Sequence, residues 1–344
     1  MVFSASYPDG LRNMKGDAYY FLRKQVQFGV LGIIAMIIVM NMPVRLFKTL
    51  SPIVFVLTLG LQLLLFTPLG MDLNGQVRWL KIGSFTMMPA EFTKVAAIMM
   101  LANYLSIDRN DIRTGVGKVI GAAMVAGIPT LLIMKTDFSN SFVLAATLGI
   151  MLFVAGLKWA YVGVGVAGVA GVMVKVISAT GENGFRKYRW MAFLDPFAYK
   201  DSFGYQIIQS LYAYAYGGVF GAGLGKSIQK YYYLPEPYND FISAIIGEEL
   251  GLVGCLFVLT LFVIIFWRGI KIALGCQEKF DCYLAVGCMS LLVVQGFIHM
   301  GVTVSLLPTT GLPMPFVSAG GTSLLAFFGC MGMLLSISRK SEMD

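Results

Sequence analysis

Apolar positions along this chain fall in continuous runs, not in the alternation of a half-buried strand or the one-sided stripe of a surface helix. Runs close to the ~20 residues that cross a bilayer lie at about 25–44, 51–68, 88–105, 116–134, 140–157, 159–178, 241–267, 283–307 and 316–337. The pattern predicts nine membrane helices joined by short polar connections. One long polar interval, about 179–239, is the only stretch with room for an extra-membrane subdomain, so residues 1–344 read as a single membrane domain with one large loop.

Composition strengthens this picture and excludes a soluble globular enzyme. Of 344 residues, 57% are hydrophobic and 13% charged, where soluble domains carry about a quarter charged, and the mean hydropathy is +0.76. Cys255, Cys288 and Cys330 lie inside the runs and Cys276 and Cys282 in a short connection, so no disulfide framework is expected. His299, the single histidine, lies well inside the run 283–307. This excludes a histidine metal cluster and predicts an interhelical hydrogen bond.

Charge then orients the chain. In the short loops, one alternating set from Arg45 to Lys340 holds eleven lysines and arginines and the other, from Arg12 to Lys135, holds seven. The richer set is expected in the cytoplasm, which places the large loop outside. Seven further bases from Lys175 to Lys230 lie in that loop and just before it, Arg186, Arg189, Lys226 and Lys230 among them, an excess that predicts an anionic partner at the outer surface. Nine spans with a cytoplasmic C-terminus would leave the N-terminus outside, and MVFSAS is read as the outer end of a first helix that would bring the spans to ten with both ends inside.

Candidate chemistry concentrates in YLPEPYNDFISAIIGEELG, Tyr233 to Gly251. Pro235 and Pro237 stop any earlier helix, and Asp240 stands where the next one begins, close to free N–H groups that favour a negative charge. An N-cap and a chemical role both fit. Glu248 and Glu249, two turns deeper, are expected to pair with buried groups. Glu91 and Lys94 share one helical face at membrane depth and are expected to meet each other or a polar cavity. Arg78, Trp79 and Lys81 suit an outer interface, where basic groups reach lipid phosphates.

Two further segments stand out. The glycine-rich run Gly217 to Ser227 fails a Walker A motif at Phe220 and a GxGxxG motif at Lys226, and reads as a tight, backbone-exposing turn near Lys226. Leu306 to Ser323 holds three prolines and three glycines between the last two runs. Irregular backbone at that depth is tolerated only against protein or a water-filled cavity, so the segment should line something polar.

Taken in order, SAS at 4–6, RWLKIG at 78–83, PAEFTK at 89–94, FLDP at 193–196, GYQIIQSLYA at 204–213, YLPEPYNDFISAIIGEELG and LLPTTGLPMPFVSAGGTS resemble the SEDS family of shape, elongation, division and sporulation proteins over the whole chain. GYQIIQSLYA and YLPEP are more similar to the FtsW and SpoVE branch than to RodA. The resemblance implies an all-α polytopic bundle of about ten transmembrane helices, about nine complete here, with one large extracellular loop. It implies an inverting glycosyltransferase that polymerises lipid II beside a class B penicillin-binding protein at the outer face of the bacterial cytoplasmic membrane. The family's essential aspartate falls on Asp240 and its cavity residues on Arg78, Glu91 and Lys94. Trp79, Arg186, Arg189 and Lys226 are the further candidates for substrate contact, and Mg or Mn is a cofactor consistent with a pyrophosphate leaving group. Departures are Ala90 for serine, TDFSNS at 136–141 for PDLGT, Ala319 for tyrosine and His299 for asparagine. A lipid II transporter using Glu91, Lys94 and the segment 306–323, a RodA-type elongation polymerase and a non-catalytic scaffold are the alternatives.

Overall fold

The computed structural model of the protein describes residues 1–14, 16–73, 76–83, 85–178 and 184–343. In chain order these form α1 Val2–Asn13, α2 Tyr20–Asn41, α3 Val44–Leu63, β1 Gly70–Leu73, β2 Gln76–Ile82, β3 Phe85–Met87, α4 Pro89–Ser106, α5 Val116–Thr136, α6 Phe138–Val154, α7 Trp159–Ser178, α8 Gly184–Leu194, α9 Tyr205–Gly217, α10 Ile242–Gly275, α11 Lys279–Thr303 and α12 Gly321–Met343.

Each apolar run is occupied by a helix, and local chemistry sets the boundaries. Pro89 opens α4 at a position where a missing N–H costs nothing. Asp137 caps α6, its side chain accepting from the Asn140 backbone N–H. The final helix begins at Gly321, five residues later than the run at 316–337, because residues 311–320 stay irregular around Pro313 and Pro315. Six of these helices are long and apolar enough to cross a membrane: α2, α3 with its extension to Phe66, α5, α10, α11 and α12. The protein is a multi-pass membrane protein.

The structure adds a small antiparallel sheet, ordered β1-β2-β3, to the helical expectation. It takes up the residues read as interface loop, with Trp79 opposite Met71 and Leu80 opposite Met87. Short, mixed-polarity strands carry no signal on the scale of a membrane run, and Leu80 is the residue that anchors this sheet, fully buried.

The chain divides into two compact units. The first comprises residues 1–27, 159–262 and 295–320. Its core gathers Ala5 of α1, Ala213 of α9, Leu234, Tyr238 and Phe241 of the following loop, Ile242 and Ile245 of α10, and Met314. The second comprises 28–158, 263–294 and 321–344. There α4 is buried along its length and packs against α3, α5, α6 and α12.

Within the first unit α10 is broken at Gly251, whose φ of 68° is left-handed. A broken helix must place its freed peptide groups elsewhere. Here the glycine-rich run receives them: Ala222 N and Gly223 N donate to the carbonyls of Glu248 and Glu249 at 2.9 and 3.0 Å, while Leu252 N and Val253 N donate to Gly218 and Val219 at 3.0 and 3.2 Å. Such close backbone approach demands glycine, since a Cβ on Gly217, Gly221 or Gly251 would collide with the opposing main chain.

Candidate active site

Asp240 sits half-buried two residues ahead of the first residue of α10, so the helix's capping position is Phe241 and the acid lies just before it. Asp240 and the two residues before it, Tyr238 and Asn239, are each held by hydrogen bonds. Asp240 N donates to Glu236 O at 3.1 Å, and Glu236 itself holds φ at 49°. Ser318 Oγ donates to Asn239 O at 2.6 Å, and Ala319 N donates to Tyr238 O at 3.0 Å. The Tyr238 hydroxyl donates to Asp9 of α1 at 3.0 Å. Burial, with the Glu236 and Asp9 carboxylates nearby, pushes that hydroxyl well above the usual phenol range, so it remains a donor. Tyr232, with φ 67°, donates to Pro8 O at 2.6 Å and lies under Arg12. Residues in such sparsely populated conformations persist only where their surroundings over-determine them.

The segment 306–320 forms the wall behind this loop. Its main chain is satisfied by helix side chains: Gln295 Nε2 donates to Pro313 O at 2.9 Å, and His299 Nδ1 lies 2.8 Å from Leu312 O. His299 therefore bonds the irregular backbone that follows its own helix, which corrects the interhelical bond expected from the sequence. Arg189, on α8, donates to Thr309 O at 3.4 Å, which ties one predicted base to the same wall. Lys226 is exposed on the turn that closes the glycine-rich run. The side chain of Arg186, also on α8, lies outside the described residues.

Lys230 is not an open base. It is buried and paired with Glu249 at 3.1 Å, and also donates to Ser4 Oγ at 3.0 Å and Gly225 O at 2.6 Å. Glu249 accepts from Ser4 Oγ at 2.5 Å and from Ser227 N at 3.3 Å. Glu248 accepts from the Ser227 hydroxyl and from Ile228 N at 2.7 Å and Gln229 N at 3.3 Å. The expected pairing of both glutamates is met, Glu248 by loop amides and the Ser227 hydroxyl and Glu249 by Lys230, Ser4 and one loop amide.

In the second unit a chain of polar contacts runs through the buried interior. Arg78 Nε, on β2, lies 3.3 Å from Asp137 Oδ2. Asn140 Nδ2 donates to the same Asp137 oxygen at 2.9 Å, Lys94 Nζ donates to Asn140 Oδ1 at 2.7 Å, and Lys94 pairs with Glu91 at 3.1 Å. Glu91 and Lys94 are 0% exposed, so their charges answer each other, as charges at membrane depth must. Sequence reasoning found Arg78, Glu91 and Lys94 and missed the two links between them. The signal was present: Asp137 precedes an apolar run with Asn140 three residues on, the spacing of a capped helix start. Trp79 is partly buried beside Arg78 on β2. Among the described residues no group of three or more histidine, cysteine or acidic side chains is placed to hold a metal ion.

Comparison with known proteins gives the family and the fold. The family described as cell cycle protein, FtsW/RodA/SpoVE, matches residues 1–343. The chain is 39% identical to stage V sporulation protein E of Bacillus subtilis, over 95% of its own length and 89% of the relative's. It is 35% identical to the "Probable peptidoglycan glycosyltransferase FtsW" of Saccharophagus degradans, over 94% and 84% of the two chains. Among solved structures, its fold is similar to a chain from a study of how a peptidoglycan synthase complex coordinates polymerization and crosslinking, with TM-score 0.80 at 24% identity, covering 100% and 97% of the two chains. It is also similar to the rod shape determining protein RodA of Thermus thermophilus, with TM-score 0.71 at 22% identity, covering 99% and 95%.

Proposed function

The chain belongs to the FtsW/RodA/SpoVE family of cell cycle proteins, and from that premise we propose that it is an inverting peptidoglycan glycosyltransferase of the division and sporulation branch, with Asp240 as its base. The observation that carries the assignment is the treatment of Asp240: a half-buried carboxylate whose two preceding residues, Tyr238 and Asn239, are bound through their carbonyls to the wall 306–320, Tyr238 being held also through its hydroxyl to α1. A proton acceptor must be held at a fixed angle to its donor, and positioned proton transfer contributes about 10² to 10⁴-fold. Asp240 takes the proton from the 4-hydroxyl of the acceptor sugar, whose oxygen attacks the anomeric carbon of the lipid-linked donor. The bond to the pyrophosphate breaks with inversion, and the pyrophosphate leaves with the electron pair. No enzyme-bound glycosyl intermediate is required.

Charge developing on the leaving group falls to basic side chains. Arg189 and Lys226 serve in the first unit together with Arg186, and a divalent cation, Mg or Mn, entering with the pyrophosphate would add to the same neutralisation. Arg78 and Trp79 are the contacts proposed for the lipid head group in the second unit. Glu91 and Lys94, closed on each other, act there by holding Asn140 and Asp137, and through them Arg78. The substrate is lipid II at the outer face of the cytoplasmic membrane, and the partner is a class B penicillin-binding protein transpeptidase.

Reconstitution with that transpeptidase and labelled lipid II tests the assignment. Wild type should form glycan polymer and Asp240→Asn should lose at least ~10²-fold in rate. Equal polymerisation by Asp240→Asn removes the aspartate from the mechanism. Lipid II crossing sealed liposomes without polymer would establish the transporter alternative, whose one structural support is the buried polar chain from Arg78 to Glu91.

A further inference from the structure

We propose that Glu248 and Glu249 are positioning residues for Asp240, clipping shut the neck of the loop that carries it; this rests on the assignment of Asp240 as base. Ser227 and Glu248 are 21 residues apart in sequence and their side chains are hydrogen-bonded, so residues 227–248 form a closed ring with Asp240 inside it. The two arms of the ring meet at one place. On the loop side, Ser227 Oγ, Ile228 N and Gln229 N point to the Glu248 carboxylate, and Ser227 N and Lys230 Nζ to that of Glu249. On the helix side, both carboxylates stand on the turn of α10 just before the Gly251 break, where their own carbonyls accept from Ala222 and Gly223. Both glutamates are 0% exposed and Lys230 is 4% exposed.

Energetic logic favours positioning over simple packing. A buried carboxylate is costly unless donors surround it, and apolar residues of similar size would fill the same space without that cost. What an apolar pair cannot do is choose one register of the 227–230 backbone. Adjacent carboxylates do so, Glu248 taking the N–H groups of Ile228 and Gln229 and Glu249 that of Ser227. From that fixed point the ring reaches Asp240 through Leu234, whose N–H donates to Gln229 O at 2.9 Å, and through the buried Tyr238 and Phe241. Holding the neck removes most of the loop's conformational freedom. Ser4 ties α1 into the same clip through Glu249 and Lys230, which accounts for the first serine of the SAS motif.

The experiment compares wild type, Glu248→Gln and the milder Ser227→Ala, each normalised to folded protein, in polymerisation of labelled lipid II across pH 4.5 to 9 and in hydrogen exchange of residues 228–240. Glu248→Gln places an amide NH₂ against three donors. The expected result is a fall of about ten-fold or more in kcat, with KM for lipid II within about two-fold, because ground-state binding is untouched. The acid limb of the pH profile should shift as Asp240's surroundings loosen, and exchange of residues 228–240 should accelerate about ten-fold. Ser227→Ala should move every readout the same way by about three-fold. Unchanged kcat and pH profile in both variants overturns the proposal, as does unchanged exchange. An inactive wild type refutes the assignment of Asp240 instead, and the exchange measurement still decides the clip.

Discussion

Ser318 donates its hydroxyl hydrogen to the carbonyl oxygen of Asn239 at 2.6 Å and receives the N–H of Met314 at 2.8 Å, so one small side chain joins the segment before α12 to the residue next to Asp240. Ser318→Ala leaves both groups without a partner. Each buried group so orphaned costs about 1–3 kcal/mol, and the loss should appear as a lowered unfolding temperature in detergent together with about ten-fold slower polymerisation. Ser318→Cys, which retains a weak donor, should fall between.

Gly251→Ala should be poorly tolerated although the residue lies far from any proposed chemistry. The left-handed φ disfavours alanine by about 1 kcal/mol, and its Cβ would press on the main chain of Gly221 and Val219. We expect at least ~2 kcal/mol of destabilisation in urea or thermal unfolding. A variant as stable as wild type would show that the α10 break is not fixed by the glycine-rich run.

Lys94→Met should destabilise by about 3–5 kcal/mol, because Glu91 would be left buried without its cation. The double variant Lys94→Met with Glu91→Leu should recover most of that loss. Stability and activity are expected to part company there: the double variant folds, yet Asn140 has lost its lysine, and tighter or weaker lipid binding measures what reaches Arg78. Full activity in the double variant would limit the pair to a structural role.

Tyr214 gives a pH test. Its hydroxyl shares Thr303 Oγ1 at 2.9 Å, and burial pushes its pKa up to about 12 from an ordinary 10. The folded state therefore keeps a proton that the unfolded chain loses first, and stability falls as pH rises from about 10 towards 12. Tyr214→Phe should remove this part of the alkaline loss, measured as the slope of unfolding temperature against pH, while losing at neutral pH the bond to Thr303.

The legible part of this protein was whatever follows from the bilayer's thickness. Nine apolar runs mark nine helices, six of them long and apolar enough to cross a membrane, and that signal needs no knowledge of neighbours. Asp240 was legible because prolines and a helix start frame it, and Glu91 with Lys94 because their spacing puts them on one face. Asp137 and Asn140 were harder: they read as an ordinary cap, and only the fold brings Arg78 to one and Lys94 to the other. Lys230 misled, since a lysine in a polar loop looks solvated until a glutamate nineteen residues later is found to hold it. The β1–β3 sheet escaped because its strands span three to seven residues and hold their register by hydrogen bonds that leave no compositional trace.

Ser4 and Glu249 are separated by 245 residues, and their contact has a consequence for biosynthesis. At about 5–20 residues per second, α1 leaves the ribosome roughly 10 to 50 s before the carboxylate that will receive it. α1 must wait without these partners, and the surroundings of Asp240 are completed only when Ser318 and Ala319 arrive later still. The setting of Asp240 is thus among the last parts of the fold to be completed.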